Sequence, residues 1–473
     1  MSHPRQPQAL FLRRRSLLLG AAASAALAAC GGGGGGSSDA PGDGGAPAVW
    51  RMPAETEPQQ AVMLASMDFD YKVGWSTLEV QATMIAALAQ TAQVVYLVNG
   101  AEDRVRMEQA LMAQSMAAED IVERVEFKVV DHAELWIRDY GGIFLTDGRG
   151  NLRVVDFDFD GYGYNAFSGP YTNDAYNYDN DLAVRVAQAF GAENLRSPLV
   201  CEGGNLHFNG KGTVIAVLGD GTEGVGLLGR NKGWTAAQIE AELKRVFGVT
   251  KVIFLKRNMP TDAHTVMQTP YEMPGGQWAY NVGVTHIDEM VAWVDERTLL
   301  LPEVTDAELV AAVAAGDPVT QIAYDVLQEA HAILSAATDQ DGQPLTIVRV
   351  PEPGPIVVEL TPQDEAWWMI EDMNQHPTHR LKGAERFENQ EPVNYLLPAS
   401  YMNYVVAEGV VLVPRFYRPG RDAELIQKDA AFAQIIQARY PGRRVVPIGV
   451  DALLAGGGGM HCITQQIPRP SLV

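Results

Sequence analysis

From about Trp50 onward, short apolar runs rich in β-branched residues alternate with amphipathic stretches of helical period, and this alternation persists to the C-terminus. Strands are predicted at Ala61–Ser66, Val94–Val98, Val125–Val130, Thr213–Leu218, Lys251–Leu255, Val291–Val294, Thr298–Leu301, Thr346–Val350, Val410–Val413 and Arg444–Ile448. Helices are predicted at Leu78–Thr91, Asp103–Ala117, Asp181–Phe190, Ala236–Phe247, Asp306–Ala314, Ala323–Ala336 and Asp422–Tyr440. Apolar strands with helices between them define an α/β fold. Strand-plus-helix units recur without a visible sequence repeat. Periodicity alone does not separate a doubly wound sheet from a barrel or a propeller.

The first 29 residues follow different rules. Arg13-Arg14-Arg15-Ser16-Leu17-Leu18 opens an apolar run to Ala29, too short to span a bilayer comfortably but flanked like a signal peptide. The paired arginines resemble a twin-arginine export signal. Leu27-Ala28-Ala29-Cys30 resembles a lipobox, which implies lipidation at Cys30; the simpler alternative is an uncleaved anchor with a chance cysteine. Residues 30–48 are a Gly/Ser/Pro-rich tether, and residues 49–473 are expected to form one catalytic domain. The expected location is therefore exported and lipid-anchored, with the membrane met only through that anchor.

Net charge is −22 over 473 residues, and four arginines lie in the leader, so the body is more acidic still. Such a body is a poor polyanion binder, which argues against nucleic acid and suits a cationic substrate better. Beyond Cys30 only Cys201 and Cys462 remain, too few for a disulfide framework.

Five places set reactive residues against their apolar surroundings, three of them with glycines: Trp136–Gly142 (WIRDYGG), Cys201–Asn205 (CEGGN), Thr285–Glu289 (THIDE), Tyr401–Asn403 (YMN) and Gly456–Cys462 (GGGGMHC). Four glycines before Cys462 permit close approach to the main chain, where amide N–H groups favour a thiolate. The plainer reading is a flexible loop with a buried cysteine. His286 and Asp288 share a face if the chain is extended there, giving a base beside a cation holder. Asp139 and Glu202 sit at expected strand ends, and Trp136 offers a π-face to a cation. His461, adjacent to Cys462, is expected to point away from it, and His207 is read as structural. Asp156, Asp158 and Asp160 lack a calcium-loop pattern and are expected on a solvated strand face.

A guanidinium group unites these residues. It arrives charged and planar, requires carboxylates of matching bidentate geometry, and has a poorly electrophilic carbon that calls for a thiolate nucleophile and a proton donor. The five motifs, in this order, resemble the agmatine deiminase and bacterial peptidylarginine deiminase family from about Val49 to Pro468. That resemblance implies the pentein fold, a five-bladed α/β propeller with pseudo-fivefold symmetry and a central site. It implies Cys462 as nucleophile, His286 as general acid/base, and Asp139 and Asp288 on the guanidinium nitrogens. Trp136, Glu202 and Asn403 would line the substrate site, with Asn403 ordering the catalytic loop. It implies hydrolysis to a ureido product and ammonia through a covalent thiouronium, with no metal or organic cofactor, on peptidyl-arginine or agmatine.

The chain departs from the family pattern at several points. Gly142 stands where Pro often follows WxRDxG, Thr285 where Gly usually precedes HxD, and EGGN replaces the commoner EGGS. The segment Lys256–Val284 is longer than in small-molecule agmatine deiminases, and His286–Met290 resembles the HVDEF segment of protein-arginine deiminases. An amidinotransferase sharing the intermediate, or a non-enzymatic lipoprotein binding arginine or polyamines, are the competing readings; the latter has no need of a thiol.

Overall fold

The computed structural model describes residues 49–164, 178–264, 270–374 and 381–471. The leader, Cys30 and the tether lie outside the described residues, as does part of the segment before His286.

Five sheets repeat one plan, in which a short strand pairs antiparallel with a central strand that pairs parallel with a third. The first contains Ile143–Thr146, Leu152–Asp158 and Glu193–Val200. The second contains His207–Phe208, Thr213–Val217 and Lys251–Leu255. The third contains Ala292–Trp293, Thr298–Glu303 and Thr346–Pro351, and the fourth Val405–Ala407, Val410–Arg415 and Arg444–Gly449. The last joins opposite ends of the chain: Gln465–Pro468 pairs antiparallel with Gln59–Ala65, followed in parallel by Val94–Val98 and Val125–Val129. Between central and third strand each unit inserts helix, including Leu182–Phe190, Ala236–Phe247, Pro318–Ala336, Glu424–Arg439 and Thr77–Leu88. This fivefold β-β-α-β repeat is the pentein plan. Its central strands are buried on both faces and so read as continuous apolar runs rather than alternating ones, as in Thr213–Val217.

A further sheet lies outside the repeat. Tyr271–Met273 and Gln277–Tyr280 form a hairpin that pairs in parallel with Val393–Leu396, itself antiparallel to Val357–Leu360. The long segment before His286 therefore carries strands of its own.

All seven predicted helices are present, and local chemistry sets their ends. Thr235 and Gln238 form a capping box at the start of Ala236–Phe247, and left-handed Gly248 closes it. The helix expected from Ala323 begins at Pro318 because Asp317 caps it and proline fits the first position. The helix expected to run to Ala117 ends at Ala113, and Ala118–Arg124 follows as a separate helix. Of the short first strands of the units, two to four residues long, Ala292–Trp293 falls within the expected strand Val291–Val294, and the other four are too short for a period to show. Asp156 is a correction: it lies in a strand but is buried, held by Arg196 and Asn194, while Asp158 also pairs with Arg196.

Candidate active site

Each of the five motifs occupies the same place in the repeat, immediately before the short first strand of a sheet. The helix Ile137–Tyr140 precedes Ile143, and Glu202 with the 3-10 turn Gly203–Asn205 precedes His207. His286 with the turn Ile287–Glu289 precedes Ala292, Asn403 precedes Val405, and Cys462 precedes Gln465. Equivalent positions of a fivefold repeat converge, so residues from all five units meet at one buried site.

Cys462 is 5% exposed. Asn403 donates from Nδ2 to its Sγ at 3.1 Å and accepts the His461 N–H on Oδ1 at 2.7 Å, tying the thiol and its loop together. The Cys462 Sγ lies 3.7 Å from Asp288 Oδ2. At Gly458 a Cβ would stand 2.8 Å from the Trp136 ring and 3.1 Å from Cys462 Sγ, and Gly457 has φ +101°, so the glycine run is required by close packing. Trp136 is a wall of the site, its indole N–H donating to the Tyr71 hydroxyl at 3.0 Å.

His286 faces Asp139, with Nδ1 3.6 Å from Oδ1, and Glu202, with Nε2 3.4 Å from Oε2. Asp139 accepts from the Gly204 N–H at 3.1 Å and the Tyr162 hydroxyl at 2.9 Å. Glu202 is taken in bidentate fashion by Arg230, which also binds Asp160. Glu202 therefore orients His286 and balances Arg230, rather than standing open as a free carboxylate. Asp288 Oδ1 is buried and has no hydrogen-bond partner, an acceptor open to an incoming N–H group.

Two expectations change here. His286 is extended, but Asp288 lies in the following 3-10 turn, so a turn and not strand parity gathers them. His461 does not point away from the site: its Nδ1 lies 2.7 Å from Asp288 Oδ2 and its Nε2 2.7 Å from Glu55 Oε1. His207 stacks on the His461 ring, their centroids 6.0 Å apart.

Electrostatics follow from burial and partners. Burial alone would lower the His286 pKa, but Asp139 and Glu202 outweigh it and raise it to about 9. Burial, opposed by His286, raises Asp139 to about 6. The Cys462 thiol is pushed well up by burial, then by Asp288, Glu289 and Asp139. Arg230 holds Glu202 below the carboxylate range despite its burial.

Sequence reasoning missed Arg230, Tyr162, Glu55 and Asp262. Asp262 accepts from the Val284 and His286 N–H groups at 2.8 and 2.7 Å, around Thr285 at φ +65°. The one signal for it was Thr285 itself, a β-branched residue where glycine is usual. Its hydroxyl is also buried without a partner. Left-handed backbone strains such a residue by roughly 1–3 kcal/mol, and a glycine loses about 0.5–1 kcal/mol in chain entropy. Thr285→Gly should therefore stabilise the fold by about 1 kcal/mol; an unchanged or lower denaturation midpoint would contradict the strain.

Two triplets, Glu55–His207–His461 and Asp288–Glu289–Cys462, have donor atoms within 4.8 Å of one another, the spacing a cation needs. In the first, Arg138 at 3.1 Å from Glu55 Oε1 already supplies positive charge. The second surrounds the sulfur with carboxyl groups, where a guanidinium fits as the cation.

A buried thiol, an imidazole and converging carboxylates at the centre of a fivefold α/β repeat define a pentein enzyme of guanidino chemistry. The chain belongs to the Porphyromonas-type peptidyl-arginine deiminase family, whose model matches residues 51–269 and 274–468. It is a hydrolase acting on guanidino C–N bonds. Among its relatives, a candidate agmatine deiminase of Marinomonas sp. is 27% identical over 434 residues, covering 89% of this chain and 95% of the relative. Another from Streptomyces coelicolor is 30% identical over 362 residues, covering 76% and 82%. The solved agmatine deiminase of Enterococcus faecalis superposes with a TM-score of 0.64 at 20% identity, over 89% of this chain and 96% of that one, a likeness of fold.

Proposed function

We propose that the enzyme deiminates a small alkylguanidine of the agmatine type, giving a ureido amine and ammonia. The observation that carries this reading is enclosure: Cys462, His286, Asp139 and Asp288 are each 8% or less exposed, with Tyr162 and Trp136 packed around them. A planar head on a slender stem fits such a site better than an arginine within a protein loop. The relatives named for agmatine support the same reading.

The guanidinium enters between Asp139 and Asp288, the unpartnered Oδ1 accepting one nitrogen. Its positive charge offsets the carboxylates that raise the thiol, so substrate itself favours the thiolate. Sγ bonds to the guanidinium carbon, His286 gives its proton to one nitrogen, and ammonia leaves with the electron pair of the broken C–N bond. Neutral His286 then takes one proton from water as the oxygen bonds to carbon; the C–S bond breaks with its electron pair on sulfur to regenerate the thiolate, and the remaining hydroxyl proton passes to solvent as the ureido carbonyl forms. Hydrolysis needs no amine acceptor.

The pH profile follows from the free-enzyme groups. Asp139 must be ionised to hold the cation, so kcat/KM should rise with pH through about 6. The Cys462 thiol, raised by burial and carboxylates, ionises as pH rises while His286 must stay protonated, so kcat/KM should stop rising at about 9. A profile still rising past pH 10 would remove His286 as the acid.

The second reading, peptidyl-arginine, is favoured by the export signal and by the resemblance of His286–Met290 to protein-arginine deiminases. Ammonia and ureido product should be followed for the full-length chain and its Cys462→Ser variant on agmatine, free arginine and an internal peptidyl-arginine. The expected kcat/KM for agmatine exceeds that for the peptide at least about 100-fold, a difference of about 2.7 kcal/mol in transition-state stabilisation. Equal turnover of the peptide would replace the first reading with the second. Export and lipid anchoring rest on the twin-arginine stretch and the lipobox; labelled palmitate should enter the chain in its bacterial host and be lost in Cys30→Ser.

A further inference from the structure

His461 belongs to no step above, yet it is 2% exposed and both of its ring nitrogens point at carboxylates. Nδ1 is 2.7 Å from Asp288 Oδ2 and Nε2 is 2.7 Å from Glu55 Oε1. A neutral imidazole has one N–H and one lone pair, and a lone pair 2.7 Å from a carboxylate oxygen is repulsive. Both contacts are favourable together only when both nitrogens carry protons.

The surroundings are built for this charge. Glu55 comes from the segment before the first described strand, 406 residues away in sequence, and is fixed by Arg138 at 3.1 Å. The Arg138 guanidinium also donates to the His461 carbonyl and to Gln466 Oε1. His207 lies parallel to the ring, and burial lowers its pKa to about 4, so it stacks without adding charge. Asn403 holds the His461 backbone N–H at 2.7 Å. Among the described residues, Asp288, Glu55, Arg138 and His207 are the titratable or charged groups that act on the ring or lie against it, and the two carboxylates are the ones it touches through its nitrogens.

We propose that His461 is a positioning residue: a standing imidazolium strut that anchors Asp288 by one oxygen, leaving the other for substrate, and offsets the charge of the carboxylate that lies 3.7 Å from the Cys462 sulfur. The Asp288 oxygens divide accordingly, Oδ2 bound to His461 and Oδ1 buried without a partner. Without the strut, Asp288 is free to rotate, and Cys462 faces Asp288, Glu289 and Asp139 with one fewer offsetting charge. Burial opposes the charged ring, as does Arg138, but the two carboxylates outweigh both and raise its pKa.

The mechanistic consequence rests on the guanidino-hydrolase reading, so the deciding measurements are made without substrate. In the full-length chain labelled with 15N-histidine, both His461 ring nitrogens should show protonated shifts at pH 7. In Glu55→Gln, which keeps the Asp288 contact, the same ring should lose its proton at lower pH than in the parent chain. The rate of Cys462 alkylation by iodoacetamide, followed against pH, should move its midpoint up by about one unit in His461→Gln, tenfold slower at a given pH. For turnover, KM should rise about tenfold in His461→Gln with a smaller change in kcat, because Asp288 acts first in binding. A neutral His461 tautomer at pH 7 in the parent chain overturns the proposal whether or not the variants fold. An unchanged alkylation profile in a folded His461→Gln protein overturns the sulfur effect. Failure of every guanidino substrate would sink the functional reading and leave these two readouts standing.

Discussion

Replacing Cys462 with alanine should reduce turnover by about 10⁴-fold or more while leaving the guanidinium bound. The guanidinium carbon is resonance-stabilised, and among the described residues of the site no other is a nucleophile of comparable strength, so catalysis without the sulfur depends on positioning and charge alone. Binding rests on other atoms: Asp288 Oδ1, open and buried, and Asp139, held by Gly204 and Tyr162. The free thiol sits among carboxylates that disfavour its ionisation, so most of the attraction for a cation rests on those carboxylates and not on the sulfur. Ammonia release measures the first part and calorimetric titration with agmatine the second. Ureido product within tenfold of the parent rate would exclude Cys462 as nucleophile, and loss of binding would place the cation contact on the sulfur itself.

The largest effect on stability should come from a residue in none of the motifs. Arg230 and Glu202 have side chains 1% and 0% exposed, and the guanidinium also binds Asp160. Removing one partner of a buried pair leaves a charge without solvation, which typically costs about 3–5 kcal/mol. Arg230→Met should lower the unfolding free energy by about that amount in urea titration. The exposed pair Lys232–Glu223, with side chains 72% and 53% exposed, is the control and should change almost nothing when broken. Activity should fall as well, because Glu202 is the His286 partner at 3.4 Å. A Glu202 that takes up a proton to escape its isolation no longer supports the charged imidazole. The pH at which kcat/KM stops rising should then move below 9. An Arg230→Met protein as stable as its parent would mean that water reaches Glu202.

Much of the site was legible before any coordinates. Glycines beside Asp139, Glu202 and Cys462 break the apolar grain, because backbone must approach reactive side chains closely there, and that irregularity is visible in a string of letters. The helices were legible because their apolar faces and caps are local. Arg230 was not, since an arginine in a short helix carries no mark of the glutamate 28 residues earlier that it will meet. His461 was misread for a related reason. Extended geometry would send neighbouring side chains apart, but the chain turns at Met460–Ile463, and both His461 and Cys462 reach Asp288.

The sequence by itself determined the alternation of strand and helix, the five reactive stretches and the residue types that suit a guanidinium, because each depends on neighbours a few positions away. Tertiary structure alone decided that those stretches are equivalent positions of one fivefold repeat, and that the charges reaching them come from distant segments. Glu55 meets His461 across 406 residues, and Asn403 meets Cys462 across 59. Burial sets how strongly such charges act on one another, and burial exists only once the sheets have closed around them.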